Sequence, residues 1–113
     1  MVANPAEVMR SYIIDMDTLN LAEQAGMFCE ALKENLRDLS PFEGTRFIYS
    51  PDEPYEAHFI WDKGDIRIQL SFMGDPDDSV WTVINGKRRF RGRIGNDREA
   101  SCREFLRAVD ELR

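Results

Sequence analysis

The sequence predicts an α+β fold: a two-layer sandwich with an N-terminal helical region, a five-stranded antiparallel meander and a C-terminal helix packed on one sheet face. Three observations lead there. Apolar residues recur at helical spacing before Ser40-Pro41, the period falls to two from Thr45 onward, and a helical stripe returns after Gly95-Asn96. The alternating segments are joined by connections short enough for a meander.

Asn4-Pro5 opens the helical region, a cap residue followed by the ring that suits a first helical position. The pattern breaks near Asp15-Met16-Asp17. Ser11 to Asp15, with two adjacent isoleucines, fits either a helix or a short strand, and periodicity does not separate the two. Thr18 then offers a cap for a helix whose apolar face is Leu21, Ala25, Phe28, Leu32, Leu36 and Leu39, stopped by Ser40-Pro41.

The candidate strands are residues 45–50, 56–62, 65–73, 79–85 and 87–94. Asn85-Gly86 is the strongest turn signal, because a type I′ hairpin needs positive φ at both central residues. Pairing across it sets Ile84 opposite Lys87, Thr82 opposite Arg89 and Trp81 opposite Phe90. A two-residue loop at Lys63-Gly64 pairs Trp61 with Ile66, Phe59 with Ile68 and Ala57 with Leu70, and a one-residue slip would break that apolar match. The last helix has Asn96 and Glu99 at capping-box spacing and a stripe of Cys102, Phe105, Leu106, Val109 and Leu112.

Alternation puts Phe47, Tyr49, Phe59, Trp61, Ile66, Ile68, Leu70, Phe72, Trp81, Val83 and Phe90 beneath the helices. The opposite face then carries Arg46, Ile48, His58, Ile60, Arg67, Gln69, Ser71, Met73, Val80, Thr82, Ile84, Lys87, Arg89, Arg91 and Arg93. A solvated sheet face explains such a surface without any function. Read functionally, the aliphatic residues supply apolar contact and the arginines supply orientation and selectivity. Connections one and three emerge at one end of a meander, so Asp52, Glu53 and Glu56 approach Asp75, Asp77 and Asp78, while Lys63, Lys87 and Arg88 lie at the other. This acidic rim lacks the ligand spacing of a calcium loop, and no metal is expected there.

The charge is unevenly distributed. Residues 1–80 hold 6 bases and 16 acids and residues 81–113 hold 9 bases and 5 acids, within a 113-residue chain of net charge −6. No linker or repeat divides the halves, so one domain over residues 1–113 is expected, electrically polarised. No apolar run reaches the roughly 18 residues of a membrane span and no secretory pattern opens the chain, which points to a cytoplasmic, non-membrane protein. Cys29 and Cys102 sit in no metal or redox spacing and are expected as buried thiols.

Catalysis and cofactors are not expected. His58, the only histidine, has no nucleophile or acid at a recognisable motif, and neither a P-loop, G-x-S-x-G nor H-E-x-x-H occurs. The basic run Lys87 to Arg93 raises a nucleic-acid reading, yet its Phe90 belongs to the inner face and the outer face offers no ring for base stacking. A charged edge strand also guards against unwanted pairing. The expectation is a non-catalytic protein-binding module of inhibitor, immunity, chaperone or assembly type. It would recognise a protein or itself through Arg46, Ile60, Arg67, Ile84, Lys87, Arg89, Arg91 and Arg93. The alternatives are phosphate binding along the last strand and docking of a partner on the acidic rim.

Overall fold

The switch of period near Thr45 marks the boundary between the two layers. The computed structural model describes residues 4–95 and 97–112. Helices α1 (Pro5–Ile13) and α2 (Leu19–Asn35) precede strands β1 (Arg46–Ser50), β2 (Glu56–Lys63), β3 (Ile66–Met73), β4 (Val80–Asn85) and β5 (Arg88–Arg93). A 3₁₀ turn at Pro76–Asp78 leads into β4, and α3 (Arg98–Leu112) follows β5. The strands form one sheet in the order β1-β2-β3-β4-β5, antiparallel throughout.

The ambiguous Ser11–Asp15 segment is the end of α1 and the turn after it, with Ile14 as C-cap. At the start of α1 the Asn4 side chain accepts from the Ala6 N–H at 2.9 Å. Thr18 is the N-cap of α2, but its hydroxyl makes no capping bond. It lies 2.7 Å from the Tyr49 hydroxyl, which also accepts from the Thr18 N–H at 3.0 Å and donates to Asp17. Helix α2 stops at Asn35, five residues before Ser40, because Leu36 turns extended at ψ 128°. The reversal that follows delivers Phe42 to the core, edge-on against Trp61 at 5.3 Å between ring centres. Asn96, half of the expected capping box, lies outside the described residues; the Asp97 carboxylate accepts from the Ala100 N–H at 3.0 Å.

Both hairpin registers differ from expectation, in the same way. The closing pairs are Lys63↔Ile66 and Asn85↔Arg88, so the two-residue loops are Gly64-Asp65 and Gly86-Lys87, and Trp81 faces Gly92 instead of Phe90. Positive φ occurs only at glycine among the described residues, with Gly64 at 59° and Gly86 at 60°. A turn needing positive φ at its first central position alone therefore places each glycine first in its loop, whereas the expected type I′ turn needs two such residues. Each partner moves by two residues, which preserves the face of every side chain that stays in a strand.

The inner face is an aromatic network. Phe28 of α2 meets Phe72 of β3 at 6.1 Å and Phe105 of α3 at 5.8 Å, and all three are fully buried. Tyr12 of α1 stacks on Phe47 at 4.7 Å, and Trp81 lies against Phe105 at 6.0 Å. Burial of each such ring contributes about 1.5–3 kcal/mol. Gly92 makes room for one of them: a Cβ there would lie 2.4 Å from the Trp81 indole. Gly92→Ala should destabilise by about 1–3 kcal/mol through overpacking. Gly26→Ala in α2, where a Cβ meets nothing within 4 Å, should stabilise by about 0.4–1 kcal/mol. Urea unfolding of the two variants checks the opposite signs.

Candidate functional site

Cross-strand register sorts the open face into rows. Asp62, Arg67, Ile84 and Arg89 lie side by side on β2 to β5. The next row is Arg46, Ile60, Gln69, Thr82 and Arg91 across all five strands, followed by Ile48, His58, Ser71, Val80 and Arg93. Lys87 is not on this face; it sits in the β4–β5 loop. Ile60 faces the open side but is only 6% exposed, so it forms floor and does not protrude, whereas Ile48 is 54% exposed.

The arginines divide into two groups. Arg46 donates to one carboxylate oxygen of Asp62 at 2.7 Å and Arg67 to the other at 2.9 Å. The Arg67 hydrogen bond, seconded by that of Arg46 and opposed by partial burial, holds the Asp62 carboxyl below its ordinary range. Sequence reasoning missed Asp62, whose parity places it on this face. Arg89, Arg91 and Arg93 are exposed and have no ion-pair partner among the described residues. Two of the expected cations thus share one carboxylate, and three remain in line on the edge strand without one among the described residues.

His58 has partners that no motif revealed. Its Nδ1 is 2.8 Å from the Ser71 hydroxyl, and its Nε2 is 3.5 Å from a Glu56 oxygen. The serine also accepts from Gln69 at 3.0 Å. Histidine and serine meet because the register places them opposite each other. Ser71 is only 6% exposed, in a strand paired on both sides. The arrangement satisfies the buried Ser71 hydroxyl through two half-buried neighbours, His58 and Gln69.

The acidic rim assembles as the meander requires. Glu53, Asp75 and Asp78 line an open hollow of about 850 Å³ together with Asn20, Tyr55 and Gly74. Asp75 accepts from the Asp77 N–H, and the loop is tied down by Asn20 donating to the Gly74 carbonyl. Gln24 fastens the Met73 carbonyl and the Ser79 hydroxyl nearby. Asp52 and Asp77 are exposed. Among the described residues no group of three His, Cys, Asp or Glu is placed to hold a metal ion. At the other end Lys63 pairs with Glu43 and donates to the Ser40 carbonyl.

Both cysteines are buried thiols. Burial raises the pKa of Cys29 and pushes that of Cys102 up to about 12, so neither is a thiolate at neutral pH. Among the described residues no helix is long and apolar enough to cross a membrane. No family model, curated protein or solved structure matches this chain.

The Asp62 cluster sets a pH dependence. A carboxyl whose folded-state pKa is depressed stabilises above its unfolded value, about 3.9, and that contribution vanishes as pH falls through the lowered folded value. Asp62→Asn should therefore lower Tm at pH 7 by an amount worth under about 1 kcal/mol, because the pair is exposed and screened. Thermal melts of the two proteins should converge once the pH is well below the ordinary carboxylate range.

Proposed function

We propose that the chain is a non-catalytic protein-binding module, of inhibitor, immunity, chaperone or assembly type, that recognises a protein partner through the basic side of its sheet. One observation carries this reading: Arg89, Arg91 and Arg93 stand exposed in line on β5 with no carboxylate partner among the described residues, while Arg46 and Arg67 on the same face share Asp62. Guanidinium groups recognise carboxylates through a planar fork and tolerate partial burial. Ile84, between Arg67 and Arg89 in its row, and the exposed Ile48 add apolar area.

A second reading uses the same three arginines on nucleic-acid phosphates. The open-face rows carry no Phe, Tyr or Trp, which removes the stacking platform that single-strand binders use. Phosphate contact along β5 would show as affinity for a mixed-sequence oligonucleotide falling with salt at a log-log slope of about three.

Arg89→Glu with Arg91→Glu separates binding from stability. Wild-type and doubly substituted protein are immobilised and exposed to the same cell extract, and their thermal melts are compared. The reading predicts a protein retained by the wild type and lost from the variant, with Tm moved by no more than a few degrees, as for exposed side chains. Identical retained sets, or a binding loss matched by collapse of Tm, contradict it.

A further inference from the structure

The free edge of β5 has a polarity of its own. The Asn85↔Arg88 pair closes a two-residue hairpin, so hydrogen-bonded pairs with β4 recur at every second residue, and the Ile94 N–H donating to the Ser79 carbonyl at 2.9 Å fixes the parity. Arg88, Phe90, Gly92 and Ile94 therefore bond inward. Arg89, Arg91 and Arg93 turn their backbone N–H and C=O groups to the outer edge, where no strand among the described residues pairs with them.

Beneath this edge lies a groove of about 310 Å³ between β5 and α3, with Trp81, Phe90 and Ala108 as its apolar part and Arg91, Glu104, Arg107 and Glu111 as its charged part. Trp81 is 5% exposed, and its buried Nε1–H has no acceptor among the described residues. It runs over Gly92, next to the edge. Three unsatisfied features thus adjoin one another: a row of edge amides and carbonyls, a row of unpaired guanidinium groups, and a groove with an apolar floor, charged walls and an orphan donor beside it.

Resting on the protein-binding reading, we infer that β5 captures an extended acidic peptide segment by strand addition. Alternate side chains of an added strand point to opposite faces. Acidic residues of the segment meet Arg89, Arg91 and Arg93 on the open side, and the intervening apolar residues enter the groove against Phe90 and Ala108. A second copy pairing edge to edge would set arginine rows beside one another on one face, which disfavours it. A nucleic-acid strand offers phosphates but neither the backbone donors that the edge carbonyls require nor apolar side chains for the groove.

The test uses a capped eight-residue peptide alternating Glu with Val, titrated into the ¹⁵N-labelled full chain. Expected are slowed exchange of the Arg89, Arg91 and Arg93 amides and affinity reduced more than about tenfold by Arg91→Glu or by N-methylation of the peptide's alternate amides on the pairing side. A peptide alternating Lys with Val should not bind. Binding indifferent to N-methylation, with the three edge amides unchanged, overturns strand addition while leaving the protein-binding reading intact. Absence of binding by the Glu-Val peptide also overturns it, and the paired capture with Arg89→Glu and Arg91→Glu then judges the broader reading separately.

Discussion

Phe28 is the contact on which the two layers depend. It projects from α2 into rings contributed by β3 and α3, Phe72 and Phe105, and all three side chains are removed from water. With its sequence neighbours Leu32 and Ala25 also buried, this face of α2 fixes which side of the pleat is inner. Every other assignment follows from that choice. Once Phe72 points inward, Ser71 and Met73 point outward, and cross-strand pairing carries the decision to β5, where Phe90 faces α3 and the flanking arginines face away.

The outer face is therefore a consequence of core packing and not an independent design, which makes its internal differences informative. Where β1, β2 and β3 adjoin, Asp62 pairs with both Arg46 and Arg67, and His58, Ser71 and Gln69 satisfy one another. Polar side chains there have found partners within the sheet. On β5 they have not, and the same strand ends the sheet with its backbone groups unpaired on the outer side. Edge strands are ordinarily blunted by charge, and three arginines do that against a like-charged edge. Against an acidic segment the same residues change from guard to receptor, so protection from self-pairing and selectivity for a partner are two results of one charge pattern.

Most of the fold was legible in the sequence because both periods are strong: the α2 and α3 stripes and the alternation from Thr45 to Arg93 give the element order and the two faces of the sheet, though not the end of α2 at Asn35 or the loop position of Lys87. The hairpin loops were not legible in detail. Asn85-Gly86 suggests glycine in the second loop position, and only the backbone dihedrals show it in the first. That small displacement leaves the paired side chains on their expected faces and moves Lys87 into the loop, yet it exchanges the amides that bond inward for those that face the edge. The outward-facing amides of Arg89 and Arg91 could not be read from residues alone for that reason. The meeting of His58 with Ser71 was hidden by the same displacement in the β2–β3 hairpin. Asp62 is different: its parity was available, but its pairing with Arg46, sixteen residues away, depends on the three-stranded geometry.

Backbone amide hydrogen exchange along β5, measured by NMR on the isolated chain, tests the account most directly. Protection should alternate: Phe90, Gly92 and Ile94 slow, held by β4, and Arg89, Arg91 and Arg93 fast, open to water. Uniform protection across the strand, or the opposite alternation, would mean that the edge is covered or the hairpin is in the other register, and the acceptor row proposed for a partner would not exist.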